Sequence, residues 1–472
     1  MTPQKTNFTK KLNDQLSGGM MKLRWLWIIL LVLMIMVVCG LIVSVLGIGL
    51  YSFTSVSTNT ESIGSAFDRV LNSQGVTIPS TGVESVEDRT FQVGQDNFTL
   101  VVENLIGNVS VQGKDTDEIF MSGRKTAWGF SGEESMDNLE LLKYEVIEEP
   151  GKLTIRVLQP SKNLNRPGKI DFKIDVPHDT LIYLKTNNGD LFAANIQGNV
   201  EMENSFGSIE VRDMQDGALK VKNTNGKITL RGINIVDFPM RVTNEFGDVN
   251  IYQANTNELF VSITNGNVNL ENIMVSGDID LSNNFGNVDY LSGQGKKLTV
   301  KSLNGTITLR GIKVDEKLVA GTDFGNLKLS DTLAADYDLS TKNGRIDLDG
   351  AESAKIKSVT DFGDIEMVNI KDSIVEIETK NGTIKLNGSL AEGDHRIKSE
   401  FGNISVRLPA STSINCDIKT NFGKITSEFD LTVSGSIDEK HLVGKINDGG
   451  GLLIIETQNG NINLEKSTTE VK

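Results

Sequence analysis

The chain has 472 residues, of which 38% are hydrophobic and only 6% aromatic, and its formal net charge is −15. This acidic balance argues against a nucleic-acid partner, because phosphate binding needs clustered Lys and Arg side chains. The two cysteines, Cys39 and Cys416, are too few for a disulfide framework. Glycine is abundant at 46 residues while proline is scarce at 8, a balance that favours many tight turns between strands.

Residues 25–51, WLWIILLVLMIMVVCGLIVSVLGIGLY, contain no charged residue and predict a transmembrane helix, because a bilayer core needs about 20 apolar residues. Residues 1–24 form a basic tail of charge +4, which leaves −19 for the rest of the total of −15. The positive-inside rule then predicts a single-pass protein of the cell membrane, with a cytoplasmic N-terminus and an extracytoplasmic C-terminal part. A cleavable signal peptide and a lipid on Cys39 are the alternatives; the sequence shows no cleavage site for the first and no small preceding residue for the second.

Residues 52–88 are polar and are predicted to form a stalk, with a short helix in residues 62–73. Residues 89–180 predict a β-domain that caps the N-terminal end of the repeats. Its strands are expected in residues 98–113, 152–159 and 170–177, and a short helix in residues 134–143. Such a cap covers the unpaired edge of the first repeat, which otherwise invites aggregation.

A repeated phrase, in which a glycine separates two short alternating runs, fills residues 181–428. In 219-LKVKNTNGKITLRGI-233, hydrophobic and polar residues alternate on both sides of Gly226, which is typical of half-buried strands joined by a turn. Glycine there supplies a positive φ or a close backbone approach. Residues 429–472, which include a late copy at 459-NGNINLE-465, are assigned to a C-terminal cap and tail. The repeat glycines, about 20 residues apart, are Gly189, Gly207, Gly226, Gly247, Gly266, Gly286, Gly305, Gly325, Gly344, Gly363, Gly382, Gly402 and Gly423.

The residue before the repeat glycine alternates between Asn and Phe, until Phe422 follows Phe401 and interrupts the pattern. Counting by twos along the strands places both residue types in one inward or corner-facing position. We therefore expect Phe to fill the corner with apolar volume and Asn to bond to local backbone groups. The phenylalanines of the regular series are Phe206, Phe246, Phe285, Phe324, Phe362 and Phe401.

Stacked units of this length predict an all-β fold, a right-handed parallel β-solenoid with coils of about 20 residues behind the single N-terminal transmembrane helix. One unit cannot bury its apolar face alone, whereas a stack forms one continuous core. An alternative is a coil of about 39 residues that holds one Asn unit and one Phe unit.

The sequence contains no recognisable catalytic motif, and we expect no catalytic, metal-binding or cofactor-binding residues. His178, His395 and His441 lack metal-ligand spacing and are expected at the surface. Asp190, Asp248 and Asp364 follow repeat glycines and would line one edge, as the carboxylates of a polysaccharide-active β-helix enzyme do. Most units carry another residue type there, which favours a structural row.

The order of 103-ENLIGNVSVQG-113, 170-IDFKIDVP-177 and 184-LKTNNGDLFAANIQGNVEMENSFGSIEV-211 resembles the bacterial putative-adhesin family of β-strand-repeat domains of unknown function. The resemblance covers roughly residues 90–465. It implies an extracytoplasmic parallel β-solenoid behind one membrane anchor, and some members accompany envelope-stress systems in Gram-positive-type cells. It carries over no catalytic residue. Phe before the repeat glycine departs from the family's Ser or Asn, a departure that bears on coil packing only.

The sequence thus favours a membrane-anchored, non-catalytic interaction module of the cell surface, whose partners would be wall polymer or membrane proteins. A rigid repeated surface gains binding strength by multivalency. The alternative is an accessory or sensory component of an envelope-stress response, acting through its membrane anchor. A β-helix enzyme acting on polysaccharide is the third and weakest hypothesis.

Overall fold

The computed structural model describes residues 81–94, 98–160, 168–433 and 439–467. They belong to one compact unit, residues 78–472. The predicted transmembrane helix at residues 25–51 and the predicted stalk helix at residues 62–73 lie outside the described residues. Among the described residues, no helix has the length and apolar character needed to cross a membrane.

The described residues of the N-terminal part form seven strands and one helix. They are β1 (Thr81–Gln92), β2 (Thr99–Ile106), β3 (Val109–Lys114), β4 (Glu118–Gly129), α1 (Gly132–Leu141), β5 (Tyr144–Glu149), β6 (Lys152–Val157) and β7 (Lys169–Pro177). The predicted strands correspond to β2 with β3, to β6 and to β7, and the predicted short helix is α1. β1 begins inside the segment predicted as a stalk and pairs antiparallel with β4 over its whole length.

The start of α1 follows from local capping. Ser131 is the N-cap residue, and its hydroxyl accepts a hydrogen bond from the Glu134 N–H at 3.2 Å. The Glu134 carboxylate in turn accepts a hydrogen bond from the Phe130 N–H at 2.7 Å. These bonds satisfy N–H groups that the first turn of a helix leaves without partners.

The repeats begin with β8, and each coil places one strand segment before its glycine and one after it. Five long strands, β13, β14, β17, β18 and β23, join the segment after one glycine to the segment before the next. The strands of the regular repeats are β8 (Leu181–Asn188), β9 (Leu191–Ala194), β10 (Val200–Phe206), β11 (Ile209–Gln215), β12 (Leu219–Asn225), β13 (Ile228–Phe246), β14 (Val249–Asn265), β15 (Val268–Val275), β16 (Asp278–Phe285), β17 (Val288–Asn304), β18 (Ile307–Phe324), β19 (Leu327–Ser330), β20 (Asp336–Asn343), β21 (Ile346–Glu352), β22 (Lys355–Phe362), β23 (Ile365–Asn381), β24 (Ile384–Leu390), β25 (His395–Phe401) and β26 (Ile404–Pro409).

Two parallel ladders run along the stack, one formed by the segments before the glycines and one by the segments after them. In the first, Phe206 pairs with Asn188 on one side and Asn225 on the other. Successive units of about 20 residues therefore stack directly, and the alternative coil of about 39 residues is wrong. The result is an all-β solenoid of right-handed type with coils of about 20 residues.

The core follows the predicted alternation. In β12, Leu219 and Val221 are buried, whereas Lys220 and Lys222 are exposed. Equivalent Ile, Leu and Val side chains from every coil form one continuous hydrophobic core. Each buried aliphatic side chain contributes roughly 1.5–3 kcal/mol, so the stack gains stability with every coil.

A second bend lies six residues after most of the repeat glycines. The residue at this bend has φ between 50° and 85°, and strand pairing skips it, as between Arg212 and Met214. Gly, Asn and Asp tolerate this conformation best, and they hold most of these positions. The residues at the second bend are Asn195, Asp213, Gly232, Gln253, Asn272, Ser292, Gly311, Asp331, Gly350 and Asn369.

The C-terminal strands do not stack in chain order. They are β27 (Ile414–Phe422), β28 (Ile425–Ser427), β29 (Leu431–Val433), β30 (His441–Ile446), β31 (Leu452–Asn459) and β32 (Ile462–Ser467). β31 pairs with β25 on one side and β27 on the other, and β32 lies between β26 and β28. The last coil in the sequence is therefore inserted between two earlier coils.

At the N-terminal end, the first coil in the sequence likewise lies between two other coils. β2 pairs with β6 and β8, and β3 pairs with β7 and β9. The coil formed by β6 and β7 is thus outermost, although it follows β2 and β3 in sequence. At both ends the coil nearest the chain terminus lies second from the outside and is hydrogen-bonded on both of its edges. The solenoid accordingly extends beyond residues 181–428 in both directions.

Candidate interaction surface

The repeat glycines form one stacked row at a corner of the solenoid. A Cβ atom added at any of the thirteen predicted glycines would lie 1.8–2.3 Å from the carbonyl oxygen of the glycine in the neighbouring coil. Ten of them also have a positive φ of 121–157°, the exceptions being Gly344, Gly382 and Gly423. Close backbone approach therefore requires glycine at all thirteen positions, and backbone conformation adds to the requirement at most of them.

The residue before each glycine forms a second row, here called the Phe–Asn row, and its phenylalanines are exposed. Six of them are between 48% and 55% exposed, and Phe422 is 71% exposed. The expectation that these rings fill the corner from inside is wrong, because the strand bends before the glycine. Pairing shows the bend: Asn223 pairs with Asn244 and Asn225 with Phe246, but the residues between them are skipped. Alternation therefore fails at the last residue of the strand.

The order of the Phe–Asn row in space is more regular than its order in sequence. Asn459 pairs with Phe401 on one side and Phe422 on the other, because its coil is inserted between theirs. At the N-terminal end, Ile106 pairs with Asn188 and holds an apolar position. Apolar and Asn residues consequently alternate without a break, in the spatial order Ile106, Asn188, Phe206, Asn225, Phe246, Asn265, Phe285, Asn304, Phe324, Asn343, Phe362, Asn381, Phe401, Asn459 and Phe422.

The bonds to local backbone that the sequence assigned to these asparagines are made by a different row, three residues before the glycine. Asn223 Nδ2 donates to the Gly207 carbonyl at 2.9 Å, and Thr360 Oγ1 donates to the Gly344 carbonyl at 3.2 Å. Most coils repeat this bond with Asn in the N-terminal half and Thr or Ser in the C-terminal half. A search of the sequence at this offset would have found the polar series. Its bonded members are Asn104, Thr186, Asn204, Asn223, Asn244, Asn283, Thr322, Thr341, Thr360, Thr379, Ser399, Thr420 and Thr457.

The acidic residues after the repeat glycines bond to backbone. One carboxylate oxygen of Asp190, Asp248 and Asp364 accepts the N–H of the equivalent residue in the next coil, at 2.7–2.8 Å. Asn108 and Asn287 make the same bond with an amide oxygen. A carboxylate and an amide are interchangeable in this task, which explains why the residue type varies from coil to coil. The row is structural, as the sequence favoured.

The three histidines lie apart. His178 Nδ1 is 2.7 Å from the Asn195 carbonyl oxygen, and His441 Nε2 is 2.9 Å from the Asp417 carboxylate. His395 is buried rather than at the surface, so that expectation is wrong. Its Nε2 donates to the Ala391 carbonyl at 3.0 Å, and burial lowers its pKa below the ordinary value. Burial also raises the pKa of the Cys416 thiol to about 12, so this cysteine is an unreactive core residue.

The concave regions of the surface are shallow. Two of them have volumes of about 580 and 530 Å³, and the second is lined by charges of both signs that include Lys317, Asp338 and Lys357. Within the described residues, no group of three or more His, Cys, Asp or Glu side chains could hold a metal ion. Within the described residues, the Phe–Asn row is an ordered series of at least partly exposed groups that continues from Ile106 to Phe422 along the stack.

These features define a class of protein, the capped parallel β-solenoid that presents a repeated surface. The family model for Toastrack DUF4097 matches residues 107–294 and 292–465, and the chain belongs to this family. No curated protein matches the sequence.

Solved structures with low TM-scores are similar over most of the chain. A "putative cell adhesion protein" from Clostridium sporogenes is 11% identical, covers 82% of this chain and 100% of its own, and has a TM-score of 0.17. A "putative adhesin" from Bacteroides fragilis is 11% identical over 81% of this chain and 97% of its own, with a TM-score of 0.19. A "putative lipid binding protein" from Parabacteroides distasonis is 11% identical over 80% of this chain and 96% of its own, with a TM-score of 0.18.

Proposed function

We propose that this protein is a non-catalytic interaction module of the cell surface, anchored in the membrane by residues 25–51 and projecting its solenoid outside the cell. The observation that carries the proposal is the Phe–Asn row. Isolated apolar side chains are normal on a protein surface, whereas an ordered series of half-exposed rings supports an interaction surface. The apolar, charge-free segment with its basic flank supports the anchor.

The proposal that the protein is non-catalytic rests on the hydrogen bonds that its acidic groups make. The aspartates that could have formed a catalytic row each accept a backbone N–H of the next coil, and the row changes residue type freely. A glycosidase needs two carboxyl groups that face the same bond of the substrate. Side chains committed to stacking the coils are poorly placed for that task.

The proposal is tested by a binding experiment with two baits. The full chain and a version that begins at residue 54 are incubated with isolated cell-wall polymer and with solubilised membrane proteins, with and without calcium. We expect both versions to be retained on wall polymer, because the interaction surface lies in the solenoid. Selective recovery of a membrane kinase or transporter by the full chain alone would overturn the proposal in favour of an accessory component of an envelope-stress response.

A further inference from the structure

In the Phe–Asn row, apolar and Asn residues alternate without a break in spatial order, although they do not in chain order. Duplication of a two-unit segment would explain alternation along the chain, but it would not place Asn459 between Phe401 and Phe422. That position is reached only because the last coil is inserted out of order. A regular series that is maintained across a break in chain order indicates that the spacing itself is used.

The spacing is set by the stack. Strands of neighbouring coils lie about 4.8 Å apart, so exposed rings recur at about 9.6 Å with one Asn side chain between each pair. Fifteen successive positions follow this rule, over a length of roughly 65 Å. Such a surface fits a linear polymer whose equivalent faces recur at the same interval.

The residues beside the row are mostly polar, and their summed charge is close to zero. Among the residues two before and one after each glycine, seven are acidic and five are basic, which gives a formal charge of −2 against −15 for the chain. Four of these charged residues form two salt bridges between neighbouring coils: Lys342 lies 2.6 Å from Asp323, and Lys380 lies 2.7 Å from Asp361. The N-terminal half of the flanks is mainly Ser, Thr and Asn. Hydroxyl and amide groups beside apolar rings suit a neutral ligand rich in hydroxyl groups.

We infer that the Phe–Asn row binds a neutral, linear, β-linked polysaccharide, with about one sugar per coil. In an extended chain of this kind every second sugar presents the same face, at an interval close to that of two coils. The phenylalanine rings would pack against the C–H faces of these sugars, and the intervening Asn amides would bond to hydroxyls of the sugars between them. The inference rests on the proposed function and names the chemical class of its ligand.

Two other occupants fit the row less well. A lipid surface imposes no spacing, and a chain of charge −15 is repelled by anionic headgroups. A second copy would have to be held by seven half-exposed rings. At about 100 Å² each they offer roughly 700 Å². That area is spread along a line, whereas a stable interface needs about 800 Å² per partner in one patch.

The test uses the full chain in phosphatidylcholine nanodiscs and measures its affinity for chitohexaose and cellohexaose, with the single sugars as reference. We expect a hexamer to bind and the single sugars not to bind measurably, because binding adds up over successive rings. Replacing Phe285, Phe324 and Phe362 together by Ala should weaken hexamer binding roughly tenfold or more. The matched control replaces Val236, Met274 and Leu291 by Ala. These side chains are 44–53% exposed and lie outside the row, so the affinity for the hexamers should stay unchanged.

A gap-filled variant separates spacing from hydrophobicity. N304F and N343F keep every ring but halve the interval between them, so polysaccharide binding should fall although the surface becomes more apolar. Stronger binding in this variant would overturn the inference. So would labelling of the row by a photoactivatable lipid, or a dimer in sedimentation velocity that the triple Ala variant abolishes. If the triple variant still binds isolated cell wall as the natural protein does, the inference fails while the proposed function stands.

Discussion

The two ends of the solenoid share one coil order but carry different covers. At the N-terminal end, β1 and β4 pair over twelve residues each, β4 pairs with β7, and α1 packs beside them. At the C-terminal end, β27 is covered by β30, and β30 by β29, which has only three residues. The exposure of the last apolar residue of the Phe–Asn row also differs: Ile106, in the second coil from the outside, is 38% exposed, and Phe422, in the outermost coil, is 71% exposed.

The difference indicates which end opens first. In a solenoid each coil contacts only its neighbours, so stability is a sum of local terms and opening begins at the weaker end. The shared coil order protects both termini, because a coil held on two edges cannot fray alone. The C-terminal end, with the shorter cover, is therefore expected to open before the N-terminal end.

The largest effect is expected from removal of the inserted coil. Deleting residues 452–467 removes the buried side chains Leu453, Ile455, Ile462 and Leu464, which contribute roughly 6–12 kcal/mol together. β28 then loses its partner β32, and β27 loses β31 and keeps only the short antiparallel β30. We therefore expect residues from 414 onward to become sensitive to protease while the preceding coils stay protected. Hydrogen exchange measures the boundary. Removal of residues 468–472 alone is the control, and a fully protected deletion variant would contradict the insertion.

A smaller effect is expected from crowding the glycine corner. In Gly305→Ala the new Cβ would lie 1.9 Å from the Gly286 carbonyl oxygen, so coils must separate, at a cost of roughly 3–5 kcal/mol. The same change at Gly460 meets the Gly402 carbonyl at 2.0 Å but disturbs only the C-terminal end. On heating, we therefore expect the middle of the stack to unfold first in Gly305→Ala and the C-terminal end to unfold first in Gly460→Ala. Gly94→Ala, where the added atom meets open space and φ is not positive, is the control.

The row of polar side chains three residues before the repeat glycines differs between the two halves of the stack, with mainly Asn in the first and Thr or Ser in the second. The Oδ1 atom of Asn223 has no hydrogen-bond partner among the described residues, whereas its Nδ2 serves the Gly207 carbonyl. Asn223→Leu leaves that carbonyl without a donor and should cost about 1–3 kcal/mol. Asn223→Thr, the residue type of the C-terminal half, should cost less than about 1 kcal/mol. Urea unfolding compares the two, and equal losses would show that the bond to Gly207 is unimportant.

The smallest effect is a pH dependence near the C-terminal end. Burial holds the pKa of His395 below its ordinary value. As the pH falls, this imidazole is therefore protonated in the unfolded chain before it is protonated in the folded chain. The stability that this difference contributes is complete above about pH 6.5 and falls as the pH drops below that value. In His395→Gln this part of the acid sensitivity should disappear. Urea midpoints at pH 7.5 and pH 5.5 measure it, and an unchanged slope would contradict the assignment.

The repeat, its coil length and its glycine turns were predictable because each is a local pattern with a fixed period. The strands of the N-terminal part followed from the same alternation. The orientation of Phe246 was not predictable by counting, since a bend between Asn244 and Phe246 shifts the last residue outward. Pairing across the bend depends on the neighbouring coil, which period alone does not describe.

The order of the last coils depends on pairing between distant segments, and local pattern does not determine it. One signal was nevertheless present. Phe401 and Phe422 are successive apolar members of the row, and exchanging the last two units restores the alternation with Asn459. The candidate surface could be located from the sequence, but its exposure could not, because exposure follows from the same bend.

The inserted C-terminal coil has a consequence for folding during synthesis. A chain emerges in sequence order, so residues 414–427 appear before residues 452–467, against which they finally lie. Coils in the middle of the stack can be added one at a time as they emerge, whereas the final one must join partners 58 residues upstream. This non-local step is slower than the growth that precedes it. The protein therefore completes its fold in a single late closure, and a chain that stops short of residue 467 leaves that end open.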